Sequence, residues 1–322
     1  MNNHIPNQKQ KIWLDGKIIP WRKATVHVMT HALHYGTAIF EGMRCYNTQN
    51  GPAVFRMKDH YKRLVSGTKA YEFDMKYSAE TLCSETKKLL RVNHLQECYI
   101  RPICFAGEGT FGLNILGAKF RFAIIPVIVG KYFGKKAETG ISCEISSWKR
   151  ISSQMLSPHV KASANYLNSA LAKLESTNAG YDEAIMLSEE GHVSEGSGEN
   201  LFIVSGGKLM TPPLHDGVLS GITRESIITI ARRENLLVEE RTILRDELYT
   251  ADEVFLCGTA AEITPVISVD KRIIGIAGNG RGKEKDGGKP GKITKKLREI
   301  FFNVIHGKDK RFFEWLDFVE EV

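Results

Sequence analysis

Length, composition and charge describe a globular chain of two domains. The 322 residues are 42% hydrophobic and 25% charged, which excludes an intrinsically disordered chain. Residues 1–10 lack the apolar core of a signal peptide, and no apolar run approaches the roughly eighteen residues that span a bilayer, so we expect a cytoplasmic protein without a membrane segment. The formal net charge is +7. The six scattered cysteines include no CxxC pair, so we expect reduced thiols, no disulfide and no zinc site.

The first predicted elements are two short strands, Lys11–Leu14 and Lys17–Pro20, joined by an Asp-Gly turn as in a β-hairpin. His27, His31 and His34 follow at a spacing that can place three ligands on one helix face. No carboxylate or cysteine completes a ligand set there, so metal binding is the less favoured interpretation.

The next elements alternate between helix and strand. Residues 58–64 and 79–91 are predicted helices, and residues 98–105 and 120–129 are predicted strands. The second helix is predicted to bury the face that carries Leu82, Leu89 and Leu90. Arg101 lies inside the first of these strands among apolar neighbours, where its charge is costly unless an anion or a carboxylate answers it. This mixture of elements predicts an α+β fold.

A change in composition predicts where the first domain ends. The stretch from Tyr132 to Thr139 contains a glycine and a pair of lysines, which is typical of a linker. We therefore assign residues 1–132 to a small α+β domain, residues 133–139 to an interdomain linker and residues 140–322 to a larger domain.

Lys161 is the candidate nucleophile of the second half. It lies among small and weakly polar residues, and the nearest acids in sequence are Glu144 and Glu175. An amine attacks a carbonyl only when unprotonated, so a Schiff-base lysine needs desolvation or a cationic neighbour. A helix predicted over residues 162–174 places the lysine just before a helix start. A solvated surface lysine is the alternative.

Three polar turns follow, each beside a predicted strand or helix. Residues 194–200 place two carboxylates and an asparagine among glycines, immediately before a strand. Glycine and threonine recur at residues 221–223, ahead of a helix predicted over residues 227–234, and at residues 258–259, after a strand predicted over residues 253–256. The N–H groups and hydroxyls of such turns can hold a phosphate, although each turn alone is also typical of a helix cap.

The positive charge is concentrated in residues 278–298. Eight Lys or Arg residues lie there against two acids, so this segment holds nearly all of the excess. Because no aromatic residues are interleaved, we favour a solvated, glycine-rich insertion over a nucleic-acid patch. Residues 278–283 also imitate a phosphate loop, but the lysine is followed by Glu284 rather than Ser or Thr, so no nucleotide site is predicted.

Several motifs in one order resemble those of the class IV pyridoxal-phosphate-dependent aminotransferases, and within them the branched-chain group. The motifs are His31-Ala32-Leu33-His34-Tyr35-Gly36, Phe40-Glu41-Gly42-Met43-Arg44, Tyr99-Ile100-Arg101-Pro102, Lys161 with Asn165-Tyr166-Leu167, Ser194-Glu195-Gly196-Ser197-Gly198-Glu199-Asn200-Leu201-Phe202, Thr211-Pro212-Pro213, Leu219-Ser220-Gly221-Ile222-Thr223-Arg224 and Gly258-Thr259-Ala260-Ala261-Glu262-Ile263-Thr264-Pro265. The resemblance covers nearly the whole chain.

The resemblance implies a fold, an activity and an assembly. The fold is a two-domain fold-type IV enzyme, with a small N-terminal α+β domain, a larger C-terminal α/β domain on a barrel-like sheet, and the cofactor between them. The activity is ping-pong transamination of L-leucine, L-isoleucine and L-valine with 2-oxoglutarate, which yields branched-chain 2-oxo acids and L-glutamate. The cofactor is pyridoxal 5'-phosphate, and a homodimer or higher homo-oligomer completes each site. No nucleic-acid or membrane partner is expected.

The resemblance also implies a role for each cofactor-binding residue. Lys161 is the Schiff-base lysine and shuttles the α-proton, while Glu195 faces the pyridine nitrogen and keeps it protonated. The other implied contacts are Tyr166 at the phenolic oxygen, Leu219 against the ring, and Arg63, Ile222, Thr223 and Thr259 at the phosphate.

For the substrate, the resemblance places the α-carboxylate at the N–H groups of Thr259 and Ala260 and near Tyr99. Arg101 answers the distal carboxylate of glutamate at the edge of an apolar pocket that also takes leucine, isoleucine or valine. The implied pocket walls are Phe40, Tyr35 and Tyr132, together with Phe111 and Leu113 of the neighbouring subunit.

Two departures and three alternatives remain. Val127 stands where the family carries a pocket tryptophan, and residues 278–291 are longer and more basic than the usual turn. A D-amino acid aminotransferase or an aminodeoxychorismate lyase shares Lys161 and Glu195, although the motifs around Phe40 and Arg101 favour the branched-chain group. A basic nucleic-acid-binding protein without a cofactor is the alternative from a different class.

Overall fold

The computed structural model describes residues 9–275 and 288–320, and the chain forms two compact units. Unit 1 contains the described residues up to Val129, the segment Val160–Ala164, and the described residues from Asn303 onward. Unit 2 contains Gly130–His159 and the described residues from Asn165 to Phe302. Lys161 therefore belongs to unit 1, although the chain on both sides of its segment belongs to unit 2. The domain boundaries assigned from the sequence stay predictions.

The elements are numbered in chain order. The strands are β1 Lys11–Leu14, β2 Lys17–Pro20, β3 Ala38–Phe40, β4 Met43–Thr48, β5 Gly51–Phe55, β6 Cys98–Ala106, β7 Phe120–Val127, β8 Ile141–Ile145, β9 Glu183–Leu187, β10 Val193–Gly196, β11 Asn200–Ser205, β12 Lys208–Thr211, β13 Val238–Glu240, β14 Glu253–Gly258, β15 Glu262–Val269, β16 Arg272–Ile273 and β17 Leu316–Phe318. The α-helices are α1 His31–Tyr35, α2 Met57–Ala70, α3 Ala79–Val92, α4 Lys136–Thr139, α5 Asn165–Asn178, α6 Ile222–Arg233, α7 Arg245–Thr250 and α8 Lys292–Ile305. Short 3-10 helices span Trp21–Lys23, Leu214–Asp216 and Lys310–Trp315.

Unit 1 is built on an antiparallel sheet. Its strand order is β17-β5-β4-β6-β7-β1-β2, and β3 pairs with β6. The predicted hairpin is confirmed, since Ile12 pairs with Ile19 across β1 and β2. Asp15 and Gly16 between these strands both have positive φ, as the turn of a two-residue hairpin requires.

Helices α2 and α3 supply much of the core of unit 1. Leu82, Leu89 and Leu90 of α3 are buried, as their spacing on the predicted helix indicated. Ser78 caps α3 by accepting a hydrogen bond from the N–H of Thr81, which satisfies one of the free donors at the helix start.

Unit 2 is built on a mixed sheet of order β10-β9-β8-β15-β14-β11-β12-β13, with β16 paired to β15. The pairs β8–β9, β8–β15 and β12–β13 are parallel and the others are antiparallel. The sheet curls into a half-barrel, which confirms the predicted barrel-like sheet of the larger domain. The turns at the ends of β10, β14 and the segment before α6 carry the polar residues singled out in the sequence.

The helix after Lys161 begins later than predicted. The sequence placed its start at residue 162, but α5 starts at Asn165. The reason is strand pairing: Ala162 forms a β-bridge with Ile39, and the N–H of Ser163 donates to the carbonyl of Ala38 at 2.8 Å. The backbone of Ala162 and Ser163 is therefore bonded to β3 and does not join the helix.

Helix α6 begins earlier than predicted. The sequence placed its start at residue 227, but the helix starts at Ile222. Gly221 before it is extended, and buried side chains occur from Ile222 and Thr223 onward, so the apolar face is longer than the predicted one. The predicted turn residues 222 and 223 are therefore the first residues of the helix.

Two predictions from the sequence concern the basic insertion and membrane-spanning helices. The basic insertion at residues 278–291 lies outside the described residues except for residues 288–291. Within the described ranges, no helix combines the length and the apolar character needed to cross a membrane.

Candidate active site

Lys161 is held in unit 1 by backbone pairing with β3. The N–H of Phe40 donates to the carbonyl of Lys161 at 3.0 Å, and the Lys161 Nζ lies 5.2 Å from the centroid of the Phe40 ring. Gly36 makes room for this segment, because a Cβ on Gly36 would lie 3.2 Å from the Cβ of Ala164 and its φ is +67°. The half-buried lysine is thus placed by a strand rather than by a helix start.

Arg101 stacks between aromatic side chains in unit 1. Its guanidinium carbon lies 4.5 Å from the Phe40 ring centroid and 5.3 Å from that of Tyr99, and its Nη2 donates to the Tyr99 hydroxyl at 3.0 Å. The Arg101 Nε is buried and has no hydrogen-bond partner among the described residues. A buried donor without a partner is costly, so this position favours an anionic ligand. No carboxylate among the described residues of unit 1 pairs with Arg101.

Glycine is required where Tyr99 meets β4. A Cβ on Gly42 would lie 2.0 Å from the Tyr99 hydroxyl, which no side chain can tolerate without moving the tyrosine. Gly42 therefore leaves the space that is occupied by the hydroxyl that Arg101 contacts.

Arg63 meets a buried carboxylate that the sequence argument did not include among the site residues. Its Nε donates to Glu41 Oε1 at 2.6 Å and its Nη2 donates to Glu41 Oε2 at 2.8 Å. His60, one turn before Arg63 on α2, places its Nδ1 2.7 Å from the same Oε2. The side chain of Glu41 is 0% exposed. A glutamate between Phe40 and Gly42 in an apolar strand was the signal that could have identified this group.

The protonation of the group follows from its contacts. Burial alone would raise the pKa of Glu41, but the charge of Arg63 and the hydrogen bonds from His60 and Arg63 hold it well below its usual range. An ionised carboxylate only accepts, so the His60 Nδ1 carries the proton that it donates. Burial lowers the pKa of His60, and the charges of Arg63 and Lys161 lower it further, against the opposing effect of Glu41. His60 is therefore neutral.

Glu195 is the centre of the second group, in unit 2. Arg150 Nε lies 2.9 Å from its Oε1, and its Oε2 accepts from Asn200 Nδ2 at 2.9 Å and from the N–H of Leu219 at 3.1 Å. Asn200 also donates to the carbonyl of Leu219 at 3.0 Å, so it ties the two residues together. The buried carboxylate is fixed in place by three donors.

Arg150, like Glu41, is a residue of the candidate site that the sequence did not identify. It is buried and its only ion pair among the described residues is with Glu195. It follows β8 in a Trp-Lys-Arg stretch that is typical of a surface turn, so no local pattern identifies it. A buried carboxylate at Glu195 requires a cation, and this requirement is the only signal.

The start of α6 adjoins the Glu195 group. Gly221 precedes the helix, and a Cβ there would lie 1.8 Å from Asn200 Oδ1, so the glycine is required by the asparagine. Gly221 has no side chain with which to cap the helix. Ile222 and Thr223 are the first two residues of the helix, close in sequence to Leu219, and Thr223 carries a hydroxyl.

The turn between β14 and β15 carries Thr259 and Ala260. Both are half-buried, and β14 pairs with β11 so that Cys257 lies opposite Asn200. Glu262 after the turn has a φ of +54°, which closes it tightly. The turn therefore lies at the same end of the sheet as Asn200.

Two further carboxylates lie behind this end of the sheet. Glu183 accepts from Lys173 Nζ at 2.7 Å and from the hydroxyl of Ser197 at 2.6 Å. Glu199 is buried, and among the described residues its carboxyl group accepts only from the N–H of Gly198, at 3.2 Å. Burial raises the pKa of Glu199 well above its usual range, and the charge of Glu183 raises it further. Both effects favour the neutral, protonated form of Glu199.

The other predicted site residues lie outside the hydrogen-bonded groups of Glu41 and Glu195. Tyr35 packs on the ring of His31 with centroids 4.5 Å apart, and half-buried Tyr166 is the second residue of α5. Tyr132, Phe111 and Leu113 are 46%, 74% and 83% exposed. Their assigned roles stay predictions.

All three histidines form hydrogen bonds with the backbone, since His27 Nδ1 accepts from the N–H of Met29 at 3.1 Å. His31 Nε2 lies 2.7 Å from the carbonyl of Gly112 and its Nδ1 lies 2.8 Å from Thr37 Oγ1, while His34 Nε2 lies 2.9 Å from the carbonyl of Val28. Within residues 9–275 and 288–320, no group of three or more His, Cys, Asp or Glu side chains is arranged to hold a metal ion.

Known proteins match both the sequence and the structure. The family model described as amino-transferase class IV matches residues 38–269. The branched-chain-amino-acid aminotransferase of Escherichia coli (strain K12) is 41% identical over 312 residues, which are 96% of this chain and 97% of that protein.

Two solved structures extend the match to the fold. The crystal structure of the branched-chain amino acid aminotransferase of Escherichia coli superposes with a TM-score of 0.91 at 41% identity and covers 97% of this chain and 100% of that chain. The branched-chain amino acid aminotransferase of Thermobaculum terrenum, solved in its PLP-form, gives a TM-score of 0.87 at 36% identity and covers 98% of this chain and 99% of that chain. The likeness spans both units.

Proposed function

The chain belongs to the class IV aminotransferase family, and from that premise we propose that it transfers the amino group of L-leucine, L-isoleucine or L-valine to 2-oxoglutarate. The products are branched-chain 2-oxo acids and L-glutamate, and the cofactor is pyridoxal 5'-phosphate. Relatives at 41% identity over nearly the whole chain carry the branched-chain activity in their names, so the D-amino acid, lyase and nucleic-acid-binding alternatives are not favoured.

The observation that carries the proposal is the fixed Glu195 carboxylate. Arg150 compensates its charge, and Asn200 and the N–H of Leu219 hold its second oxygen. A carboxylate held this way accepts a hydrogen bond from a protonated ring nitrogen and keeps the proton there. When bound, pyridoxal phosphate supplies an electron sink that makes the α-hydrogen of an amino acid acidic.

We assign the proton transfer to Lys161. Lys161 would hold the cofactor through its Nζ and, as the free amine, would take the α-proton of the amino acid at Nζ and pass it on to the cofactor. The pairing of its backbone with Phe40 fixes where the side chain starts. The charges of Lys161 and of the Arg63 guanidinium both act on the buried His60, so both groups lie near it in unit 1.

The residues present also fit the remaining groups of the cofactor. The helix-start N–H groups of Ile222 and Thr223, the hydroxyl of Thr259 and the guanidinium of Arg63 are the donor types that bind a phosphate. Tyr166 is assigned to the phenolic oxygen and Leu219 to the ring face. The Thermobaculum terrenum relative was solved in its PLP-form, which supports the cofactor but none of these individual contacts.

Arg101 explains how one pocket takes two kinds of substrate side chain. Its stacking between Phe40 and Tyr99 leaves apolar ring surface for leucine, isoleucine or valine, and its buried Nε lacks a partner among the described residues. The distal carboxylate of glutamate satisfies that donor. We assign the α-carboxylate to Thr259 and Ala260, and Tyr35, Tyr132, Phe111 and Leu113 to the remaining walls.

We also propose that the protein is a cytoplasmic homodimer. All six cysteines are free, and five of them are buried, which fits a reducing compartment. Exposed Phe111 and Leu113 fit residues that a second subunit covers.

The first test is the visible absorption of the purified protein with pyridoxal phosphate, before and after separate additions of L-leucine and D-alanine without an oxo acid. We expect a band that L-leucine bleaches and D-alanine does not, since only the L-substrate gives up its amino group. Bleaching by D-alanine alone would overturn the branched-chain assignment and keep the family. Lys161→Ala is expected to lose the band, whereas Lys208→Ala, at an exposed lysine paired with Glu239, is expected to keep it.

The second test separates the two half-reactions of the pocket. Arg101→Leu is expected to slow the half-reaction with L-glutamate roughly ten- to a hundredfold more than that with L-leucine, because only glutamate loses a charged hydrogen bond. Arg121→Leu makes the same change on the neighbouring strand, at an arginine paired with Asp15, and is expected to alter neither. Equal losses in both half-reactions for Arg101→Leu contradict the dual role.

A further inference from the structure

We propose that Glu41, anchored by His60, is a positioning residue for the cofactor's phosphate, because it fixes the guanidinium of Arg63. This inference rests on the proposed function, which gives Arg63 the phosphate. Glu41 itself touches neither substrate nor cofactor in this proposal and acts through the arginine.

The contact between Glu41 and Arg63 occupies one edge of the guanidinium. Nε and Nη2 each donate to a different carboxylate oxygen, at 2.6 and 2.8 Å, in a bidentate pair. A guanidinium has five N–H donors in one plane, so this pair uses two of them and fixes the direction of the rest. A single hydrogen bond would leave the plane free to turn about the bond, whereas two parallel bonds do not.

The carboxylate is itself fixed at both ends. The N–H of Glu41 donates to the carbonyl of Pro102 at 2.9 Å, which joins it to β6. Its Oε2 also accepts from the His60 Nδ1 at 2.7 Å, and His60 and Arg63 are both on α2. The arginine is therefore held to the sheet through Glu41 and not by its own helix alone. The side chains of Glu41 and His60 are 0% and 2% exposed, so water does not compete for these bonds.

The charge of Glu41 alone does not explain why a carboxylate pairs with the arginine that is assigned to the phosphate. An ionised carboxylate neutralises Arg63 and by itself weakens the attraction of the arginine for a phosphate. Its benefit must come from geometry, because a ligand that is held at its far end needs the donor at one defined place. Inorganic phosphate has no such second attachment and can follow the guanidinium wherever it moves.

This contrast separates position from charge. Loss of the Glu41 charge changes the attraction for inorganic phosphate and for pyridoxal phosphate alike, whereas loss of position affects only pyridoxal phosphate, which Lys161 holds at its other end. The informative quantity is the ratio of the dissociation constant of pyridoxal phosphate to that of inorganic phosphate, both measured on the apoenzyme. Pyridoxal phosphate is titrated by absorbance, and inorganic phosphate by its competition with pyridoxal phosphate.

Glu41→Gln and Glu41→Asp are expected to raise this ratio roughly tenfold or more over wild type. Glutamine accepts at only one oxygen and turns an N–H₂ toward its donors, and aspartate keeps the charge but is one methylene shorter. His60→Leu removes the anchor and is expected to raise the ratio less. Asp59→Asn, which breaks the ion pair with Arg56 on the same helix, is expected to leave the ratio unchanged.

The outcomes distinguish the two proposals. A wild-type ratio in both Glu41 variants overturns the positioning role, whatever happens to the separate constants. If Glu41→Gln does not fold, as judged by circular dichroism, Glu41→Asp and His60→Leu decide. A wild-type protein whose band L-leucine fails to bleach contradicts the proposed function, and bleaching in wild type with an unchanged ratio in the variants contradicts only the inference about Glu41.

Discussion

Units 1 and 2 both bury carboxylates beside predicted cofactor ligands, but they balance the charge differently. In unit 1, Glu41 meets Arg63 and a neutral His60, so one acid faces one cation. Around the end of β10 in unit 2, three buried acids face two cations among the described residues, namely Glu183, Glu195 and Glu199 against Arg150 and Lys173. This second group therefore has one negative charge in excess, unless one of its acids is protonated.

The position of that proton shows which carboxylate is kept ionised. Glu195 has Arg150 and Glu183 has Lys173, whereas the Glu199 side chain accepts only a backbone N–H among the described residues. Burial and then the charge of Glu183 raise the pKa of Glu199, so the extra proton resides there. Because Glu199 takes up the surplus proton, Glu195, the carboxylate that we assign to the ring nitrogen, stays ionised.

Arg150→Met is the largest expected change. It removes the cation from Glu195 and leaves that buried carboxylate without compensation, which costs about 3–5 kcal/mol in the free energy of unfolding. Urea denaturation of the holoenzyme at pH 7.5 measures it. The matched control is Arg245→Met, at an arginine that is 54% exposed and pairs with Asp270. If both variants lose the same small amount, the charge balance proposed for unit 2 is wrong.

Glu195→Gln is the next largest change and acts on turnover. The amide keeps the size of the side chain and can still accept from Asn200, but it no longer holds a proton on the ring nitrogen. We expect kcat to fall roughly a hundred- to a thousandfold at saturating cofactor, the size typical for removing a group that stabilises developing charge. Steady-state assays with L-leucine and 2-oxoglutarate measure it.

Glu183→Gln sharpens the same prediction. It removes a buried acid from the same unit and leaves Lys173 unpaired, so it is expected to lower stability while kcat stays near that of wild type. A kcat loss as large as that of Glu195→Gln would assign the effect to the whole acid group and not to Glu195.

Local sequence patterns predicted the elements that depend on neighbours in the chain. The Asp-Gly hairpin and the buried face of α3 with Leu82, Leu89 and Leu90 were correct, because turn residues and helical spacing act over a few positions. The candidate lysine was also found locally, since Lys161 lies in a stretch without acids. Its role, however, came from the order of motifs and not from its surroundings.

The sequence pattern did not predict which residues pair with the buried acids. Glu41 meets Arg63 on a different element, and Glu195 meets Arg150 across a helix and a strand, so no periodicity links either pair. The late start of α5 has the same cause, since the residues after Lys161 pair with β3 instead of joining the helix. Tertiary pairing overrides local preference in each case.

Glu199→Gln has the smallest expected effect and tests where the surplus proton lies. A glutamine has nearly the shape of a protonated glutamic acid, and both are neutral. We therefore expect the free energy of unfolding to change by about 1 kcal/mol or less at pH 5, and kcat to stay near that of wild type. Glu189→Gln, at an exposed position of the same unit, controls for the loss of an acid in general.

The pH dependence of the stability of Glu199→Gln tests whether the pKa of Glu199 is raised in the folded state. Because the folded-state pKa of Glu199 is raised, its contribution to stability is complete below the unfolded pKa of about 4.3 and is lost as the pH rises toward the folded pKa. Glutamine does not titrate, so the variant does not lose stability in this way as the pH rises. The stability of Glu199→Gln relative to wild type should therefore rise between pH 5 and pH 8 in urea denaturation. A relative stability that falls or stays level over this range would mean that Glu199 is ionised and that one of the other two acids carries the proton.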